Sequence, residues 1–282
     1  MTDPWINSLI KQALKEDIGP QDITTEFLID RHQTSRGVIL LKEDAVICGL
    51  ELAQRVFGQL DKNLIFDSLC RDGQFKPKGT KIADLSGRTR AILSAERVVL
   101  NFLSRLSGIA TLTRAFVKAI KPFQAQIFDT RKTIPGLRRL EKFAVATGGG
   151  RNHRLTLSDM FMIKDNHWVA GQPARIPDLI QKMKNTSAKP ICVEVTTLRQ
   201  LAFVSKVNPE IILLDNMNLR TIKRAVGLIK RLPKTQRPHL EVSGGVTLKN
   251  VRAIAATGID RISVGALTHD APWVDYSLEI LP

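Results

Sequence analysis

The fold is decided by residues 211–265, which read IILLDNMNLRTIKRAVGLIKRLPKTQRPHLEVSGGVTLKNVRAIAATGIDRISVG. Three short apolar runs in this stretch end in polar or glycine residues, and they alternate with longer runs of helical spacing. Ile211 and Leu240 mark two successive runs and are 29 residues apart. Ile259, at the third run, follows Leu240 by 19 residues. These are the lengths of βα units, and strands that are apolar on both faces indicate a parallel sheet covered by helices.

The same alternation begins near Gln124. We predict strands in QAQIFD, SDMFMIKD, ICVEV, EIILLD, HLEVSGG and DRISVG, and helices over residues 198–207, 219–232 and 247–257. Each strand carries a polar or glycine residue at or near its carboxyl end: Asp129, Lys164, Glu194, Asp215, Ser243 and Gly265. The active sites of β/α barrels are built at that face, so the pattern favours a barrel. An open doubly wound sheet is the alternative, because it also binds ligands at strand carboxyl ends.

The first 110 residues mix helix and strand patterns. We predict helices over residues 4–14 and 50–60, strands over 37–41, 45–48 and 90–93, and turns at DGQFKPKG and LSGR. Ser94 then begins a long helix, SAERVVLNFLSRLSGIATLTRAFVKAI, which we expect Gly108 to kink or divide. The C-terminal segment DAPWVDYSLEI is apolar enough to pack back on this first domain.

The bulk composition excludes several classes of protein. Of the 282 residues, 43% are hydrophobic and 24% are charged, which is ordinary for a soluble globular protein. The net charge of +15 raises nucleic-acid binding, but the cations are spread along the chain and the aromatic fraction is only 5%, which favours small anionic partners instead. No apolar run approaches the roughly 20 residues of a membrane span. Three widely spaced cysteines without a CxxC pair are typical of reduced thiols in the cytoplasm.

The chemistry concentrates in residues 128–167, FDTRKTIPGLRRLEKFAVATGGGRNHRLTLSDMFMIKDNH. This segment carries many basic residues around a glycine triplet, among them Arg131, Lys132, Arg138, Arg139, Arg151, His153, Arg154, Lys164 and His167. Because most of them flank strand-like apolar runs, we expect them to lie at strand ends and to point into one cavity. Such a cavity suits a small ligand with several negative charges.

Two pairs of cations stand next to chain-turning residues. Arg131 and Lys132 precede the break at Pro135 and Gly136, and a guanidinium fork fits a carboxylate while an ammonium suits phosphate. His153 and Arg154 follow the glycine triplet, which permits a tight turn or a close approach to a ligand. A surface salt-bridge pair is the alternative for Arg131 and Lys132, and an ordinary core or surface histidine is the alternative for His153.

Lys164, Glu194 and Asp215 end or lie within apolar strands, where a charge is costly unless it is paired or bound to a metal. Two carboxylates at adjacent strand ends suit Mg²⁺, a ribose diol or a developing positive charge. Structural salt bridges are the alternative. The late strand ends at Ser243-Gly244-Gly245 and Gly265 predict phosphate binding by backbone N–H groups and helix N-termini. No GxSxG or HExxH motif is present.

These motifs resemble a known family, the quinolinate phosphoribosyltransferases. The resemblance lies in FDTRKTIPGLRRLEKFAVATGGGRNHR, MIKDNH, VEV, LLDN, EVSGG and ISVGALTH, and upstream in KEDIGPQDITT and SAERVVLNFLSRLSGIAT. It implies an α/β fold with an N-terminal α/β sandwich domain over residues 1–110 and an incomplete α/β (TIM-like) barrel over residues 111–269. The tail, residues 270–282, would pack on the first domain. It also implies a homodimer or higher homo-oligomer with shared active sites.

The resemblance further implies a reaction. Phosphoribosyl would pass from 5-phosphoribosyl-1-pyrophosphate (PRPP) to quinolinate with decarboxylation, and Mg²⁺ would be the cofactor. The products would be nicotinate mononucleotide, pyrophosphate and CO₂, a step of de novo NAD biosynthesis. We expect no nucleic-acid or membrane partner and a cytoplasmic location.

The family's roles can be placed on this sequence by position. The quinolinate carboxylates would be held by Arg131, His153, Arg154, Lys164 and, from a neighbouring subunit, Arg97. PRPP would be bound by Lys132, Glu194, Asp215, Ser243, Gly244, Gly245, Gly265 and His269. Lys164, Glu194 and Asp215 would be catalytic, and the two carboxylates would serve Mg²⁺ directly or through water. Thr196 departs from the family, which often has a second acid after VEV.

Three rivals follow from the same features. A related enzyme of molybdenum metabolism lacks the DTRKT and KDNH motifs that are present here. A phosphoribosyltransferase acting on nicotinate would not need a doubled carboxylate clamp. A basic barrel that binds nucleic acid or phosphate without catalysis would show salt-dependent binding and no turnover.

Overall fold

The computed structural model describes residues 4–171 and 173–282. The chain divides into two compact units, Met1–Leu112 with Ala271–Pro282, and Thr113–Asp270. The division predicted from the sequence lay at residues 110 and 269.

The first unit is built on an antiparallel sheet of four strands. Its helices are α1 (Pro4–Ile18), α2 (Ile23–Leu28), α3 (Leu50–Leu60) and α4 (Thr89–Ala119), the last of which runs into the second unit. Its strands are β1 (Thr34–Leu41), β2 (Ala45–Val46), β3 (Ile65–Ser68), β4 (Phe75–Lys76), β5 (Lys81–Arg88) and β12 (Tyr276–Leu281). The sheet order is β12-β1-β5-β3, and β2 pairs separately with β4. The C-terminal strand therefore completes this sheet, because Arg36 to Leu41 pair with Leu281 to Tyr276.

The start of α4 contradicts two sequence-based predictions. Residues 90–93, predicted as a strand, are helical, and the LSGR segment, predicted as a turn, lies in β5. The helix begins at Thr89, and Ser94 does not start it: the Ser94 hydroxyl donates to Asp22 Oδ2 instead. The apolar residues at 91–93 suit a strand and a buried helix face equally, so contacts remote in sequence decided between them.

Gly108 does not divide α4, since the helix is continuous from Thr89 to Ala119. A Cβ atom at Gly108 would overlap the backbone carbonyl oxygen of Pro272. The glycine therefore allows the C-terminal segment to cross the helix at backbone contact distance.

The second unit is an incomplete barrel of six parallel strands, as predicted. Its strands are β6 (Gln126–Phe128), β7 (Phe161–Ile163), β8 (Ile191–Val195), β9 (Ile211–Asp215), β10 (His239–Ser243) and β11 (Arg261–Ser263). The sheet order β6-β11-β10-β9-β8-β7 places the first strand beside the last and leaves the sheet open between β6 and β7. Phe128 also forms a parallel bridge to Arg151, so the segment after the glycine triplet extends the sheet at this opening.

Helices follow most of these strands. They are α5 (Arg138–Thr147), α6 (Asp165–Ala170), α7 (Ile176–Thr186), α8 (Leu198–Val204), α9 (Leu219–Lys230), α10 (Val251–Ala255) and α11 (Ala266–His269), with 3-10 turns at Pro173–Arg175, Ser205–Val207 and Lys234–Gln236. All five residues of β8 are buried, as expected for a parallel strand covered on both faces. The helix predicted over residues 247–257 is shorter at both ends. No helix within residues 4–171 and 173–282 is long and apolar enough to cross a membrane.

Candidate active site

A cavity of about 390 Å³ lies at the carboxyl ends of the barrel strands. Its walls are formed by Asp129, Thr130, Arg131, Lys132, His153, Arg154, Leu157, Met162, Lys164, His167, Leu213, Glu241, Ser243 and Ser263. Six residues with predicted roles therefore share one cavity: Arg131, Lys132, His153, Arg154, Lys164 and Ser243. Parallel strands bring them together because their carboxyl ends meet at one face.

The turn after β6 holds Arg131 and Lys132. The Lys132 backbone N–H donates to Thr130 Oγ1 at 3.1 Å, and the Thr268 hydroxyl donates to the Lys132 carbonyl at 2.7 Å. The side chain of Lys132 also lies against Gly265, where a Cβ atom would be only 3.1 Å from Lys132 Cδ. This turn is thus fixed to the loop that follows β11, and the ends of the first and last strands form one wall of the site.

A buried ion pair fixes the backbone of His153. The Lys142 ammonium donates to Asp129 Oδ1 and, at 3.0 Å, to the His153 carbonyl. Asp129 Oδ1 also accepts from the His153 backbone N–H at 2.8 Å. Burial raises the pKa of Asp129 and lowers the pKa of Lys142, and the attraction between the two charges opposes both shifts. The sequence analysis placed Asp129 only at a strand end and predicted no role for Lys142.

The glycine triplet serves packing rather than a ligand. A Cβ atom at Gly150 would lie 2.8 Å from side-chain atoms of both Thr113 and Val145, and Gly149 has a φ of +92°. The triplet lets the chain leave α5 and return beside β6 at Arg151. The next residues then enter the cavity.

Arg131 and Arg154 form a strongly basic wall. Burial lowers the pKa of Arg154, and the nearby positive charge of Arg131 lowers it further. Arg154 Nη1 donates to the Met160 carbonyl at 3.3 Å. Two guanidinium groups that repel each other across a cavity favour an anion between them.

Lys164 joins this wall to the carboxylates. Its ammonium donates to Glu194 Oε2 at 2.6 Å, and Glu194 is only 6% exposed. The indole N–H of Trp168 donates to the Glu194 carbonyl at 2.9 Å. Lys164 therefore lies between a buried carboxylate and the cavity, where it can neutralise the first and face an anion in the second.

Asp215 ends β9 beside Glu194 on β8, as predicted from their strand positions. Burial raises the pKa of Asp215, and the negative charge of Glu194 raises it further. Asn216, at a φ of +51°, donates its side-chain amide to Asp215 Oδ2 at 2.7 Å. Neither Glu194 nor Asp215 is among the residues that line the cavity, so the two carboxylates lie outside its wall.

The raised pKa of Asp215 predicts how the stability of the fold depends on pH. A group whose folded pKa lies above its unfolded value stabilises the fold at low pH, and this contribution is lost as pH rises through the folded pKa. Asp215→Asn removes the cost of the ionised form, so we expect it to raise the unfolding midpoint near pH 8. The gain should shrink as the pH falls toward about pH 4.

Denaturant unfolding across this pH range measures the effect. Asp67→Asn, which changes an exposed acid on β3, is the control and should give no such trend. A midpoint for Asp215→Asn that is lower than wild type at neutral pH would contradict the assignment of a raised pKa.

Two glycines at the end of β10, Gly244 and Gly245, adopt the left-handed backbone conformation that favours glycine. Gly244 has a φ of +91°, and a Cβ atom there would overlap Asn216 Oδ1; Gly245 has a φ of +60°. The helix after them begins at Val251 rather than at the predicted Thr247, and phosphate binding by these glycines stays a prediction. A Cβ atom at Gly265 would be 3.1 Å from His269 Nε2, and the other ring nitrogen of His269 lies 2.7 Å from Asp270 Oδ1.

Arg97 and Thr196 are not among the residues that line the cavity. Arg97 is exposed in the middle of α4 and belongs to the first unit, so its role toward a neighbouring subunit stays a prediction. Thr196 is exposed, and its backbone N–H and hydroxyl both donate to Gln200 Oε1. It belongs to the N-terminal cap of α8, and its effect on ribose or metal contacts also stays a prediction.

The sequence interpretation missed Glu241 and Ser263, which line the cavity from β10 and β11. Glu241 is fully buried and 3.4 Å from His153 Nε2. The signal was available, because LEV in HLEVSGG is the same acid-in-apolar-strand pattern as VEV around Glu194.

Comparison with known proteins agrees with this architecture. Residues 22–107 match the family described as quinolinate phosphoribosyl transferase, N-terminal domain, and residues 109–279 match its C-terminal domain. A protein of Synechocystis called "probable nicotinate-nucleotide pyrophosphorylase [carboxylating]" is 41% identical over 99% of this chain and 92% of its own length.

Solved structures give the same result. The nicotinate-nucleotide pyrophosphorylase of Francisella tularensis superposes with a TM-score of 0.90 at 38% identity, over 98% of this chain and 96% of that one. NadC from Streptococcus pyogenes superposes with a TM-score of 0.92 at 36% identity, over 100% and 99% of the two chains. With both domains matched in order and the six-stranded barrel in place, the chain belongs to the quinolinate phosphoribosyltransferase family.

Proposed function

We propose that this protein transfers phosphoribosyl from PRPP to quinolinate with decarboxylation, giving nicotinate mononucleotide, pyrophosphate and CO₂. The observation that carries the proposal is the cavity in which Arg131, His153, Arg154 and Lys164 meet. Quinolinate has two adjacent carboxylates, and guanidinium forks with an ammonium are the groups that bind them best.

The chemistry needs positioning and charge more than proton transfer at its first step. The ring nitrogen already carries a lone pair, so it attacks the ribose C1 atom while the bond to pyrophosphate breaks and its electron pair leaves with that group. Positive charge develops on the ribose, and Glu194 and Asp215 on neighbouring strands are placed to stabilise it.

The second step breaks the bond between the ring and the carboxylate next to the nitrogen. CO₂ leaves, the electron pair stays on the ring carbon beside the positive nitrogen, and a proton from water completes the product. Lys164, Arg131 and Arg154 hold positive charge around this carbanion, and a cavity partly closed to water strengthens that effect.

The residues present fit Mg²⁺ as part of the PRPP complex. Magnesium in phosphate enzymes is usually held by one or two carboxylates together with substrate phosphates. Glu194 and Asp215 supply two carboxylates, and the pKa of Asp215, raised by burial and by the charge of Glu194, supports a cation beside them. Residues 4–171 and 173–282 contain no group of three acidic, histidine or cysteine side chains able to hold a metal alone. We therefore place Mg²⁺ against these carboxylates, directly or through water, where it neutralises pyrophosphate charge.

The remaining PRPP contacts follow the loops after β6, β10 and β11. Lys132 faces the pyrophosphate side, while Ser243, Gly244, Gly245, Gly265 and His269 would surround the 5-phosphate. The protein would act in the cytoplasm as a homodimer or higher homo-oligomer, in which Arg97 of one subunit completes the quinolinate clamp of its neighbour. The three cysteines, Cys48, Cys70 and Cys192, are all buried.

The deciding experiment is a direct assay of nicotinate mononucleotide and ¹⁴CO₂ from carboxyl-labelled quinolinate with PRPP and Mg²⁺. Nicotinate is the control substrate, because it has one carboxylate and nothing to lose as CO₂. We expect product and CO₂ in equal amounts from quinolinate and little turnover of nicotinate. Preferential use of nicotinate would support the rival phosphoribosyltransferase, and DNA binding without turnover would support the non-catalytic barrel.

A further inference from the structure

Glu241 is a fully buried acid that the reaction does not use directly. It lies on β10 with no exposed surface and stands in register with Arg261 on β11. Three polar side chains surround its carboxylate, and one of them, Ser263, forms a hydrogen bond to it. Arg261 Nε is 2.8 Å from Oε2, His153 Nε2 is 3.4 Å from Oε1, and the Ser263 hydroxyl donates to Oε1.

The carboxylate is charged in spite of its burial. Burial raises the pKa of Glu241, but the neighbouring His153, Arg261 and Ser263 side chains outweigh this effect, and the pKa ends below its ordinary value. Arg261 is itself held in place, since its guanidinium stacks 3.8 Å over the Phe128 ring. The Glu241 carboxylate beside His153 is therefore held in position, and its lowered pKa favours the ionised form.

The other side of the His153 ring determines where its proton lies. The backbone N–H of Arg154 donates to His153 Nδ1 at 2.8 Å, so that nitrogen is an acceptor and carries no proton. The proton then belongs on Nε2, which faces Glu241. The opposite tautomer would set two N–H groups against each other at Arg154.

We infer that Glu241 is a positioning residue for quinolinate binding: it holds His153 in the Nε2–H tautomer and thereby aims the Arg154 segment into the cavity. Arg261 keeps the Glu241 carboxylate turned toward the ring. The inference rests on the proposed function, and it uses the position of the His153 ring between the Arg154 backbone N–H and the Glu241 carboxylate.

Glu241→Gln tests this assignment with little change of shape. A glutamine offers one carbonyl oxygen where the carboxylate offered two, and Arg261 attracts that oxygen most strongly. Its amide N–H₂ then faces His153 and favours the wrong tautomer. We expect the quinolinate KM to rise about tenfold, the PRPP KM to change less than about twofold, and kcat to fall little.

A second substitution should reverse the defect. In Glu241→Gln with Arg261→Met the glutamine oxygen is free to accept from His153, so most of the quinolinate affinity should return. Asp260→Asn is the matched control, because Asp260 accepts from Leu240 N at the opposite end of the same two strands. It should alter stability without altering either KM. A merely structural role for Glu241 would instead lower stability and leave the two KM values and their ratio unchanged.

The tautomer can be read without turnover. In ¹⁵N-labelled wild-type protein the His153 resonance, assigned by its loss in His153→Gln, should show a protonated Nε2 and an unprotonated Nδ1. In Glu241→Gln this pattern should reverse or average. A protonated Nδ1 in wild type, or an unchanged quinolinate KM in Glu241→Gln, would overturn the inference. An inactive wild type with the expected ¹⁵N pattern would instead reject the proposed function.

Discussion

Arg154→Ala should reduce kcat/KM for quinolinate by roughly a hundredfold or more, because truncating one partner of a buried charge pair costs about 2–5 kcal/mol. The guanidinium is partly buried and next to Arg131, and the pKa of Arg154 is lowered by burial and by that neighbour. Both features mean that the site is arranged for an anion. Arg154→Lys should recover only part of the loss, since an ammonium cannot form the two-pronged contact with a carboxylate.

Steady-state kinetics with each substrate varied in turn measures this effect. Arg151→Ala is the matched control: it lies three residues earlier in the same segment, its side chain is exposed, and its backbone alone bridges to β6. We expect near wild-type constants for that variant. An Arg154→Ala enzyme with an unchanged quinolinate KM and an unchanged kcat would remove Arg154 from the binding site.

The second large effect is recovery of activity by mixing two inactive variants. Arg97→Ala and Lys164→Ala should each be nearly inactive, because each removes one cation from every site. In a dimer that shares its sites, a hybrid of the two has one site with both cations intact. Equal mixing with free subunit exchange should therefore restore about a quarter of wild-type activity.

The control pair is Lys164→Ala mixed with Arg154→Ala. Both substitutions lie in the barrel unit, so no hybrid has an intact site and no activity should return. Mass spectrometry of subunits with different tags verifies that exchange has occurred. If hybrids form and the Arg97–Lys164 pair stays inactive, Arg97 does not act across subunits.

The cations of the site were predictable from local pattern. Arg131, His153, Arg154 and Lys164 follow apolar runs or glycines, and these features lie within a few residues of each cation. The barrel was predictable as well, since the spacing of Ile211, Leu240 and Ile259 limits the connections to single helices. The six barrel strands, β6 to β11, all lie within the segments predicted as strands.

Other features depended on residues far apart in sequence. The start of α4 at Thr89 and the continuity of the helix through Gly108 follow from contacts with Asp22 and Pro272. Asp129, which follows β6, forms an ion pair with Lys142 on α5. The sequence around a strand-end acid does not indicate which lysine will contact it. Local propensity is too weak a signal to settle such cases.

By itself, the sequence determined the alternation of parallel strands and helices and the set of charged residues at the strand ends. Only the tertiary structure decided which of those charges meet. Lys164 pairs with Glu194, and His153 stands over Glu241, because parallel register places residues 30 and 88 positions apart side by side. Hydrophobic periodicity is a property of neighbouring residues, whereas the free energy of a buried charge depends on partners that only the closed sheet supplies.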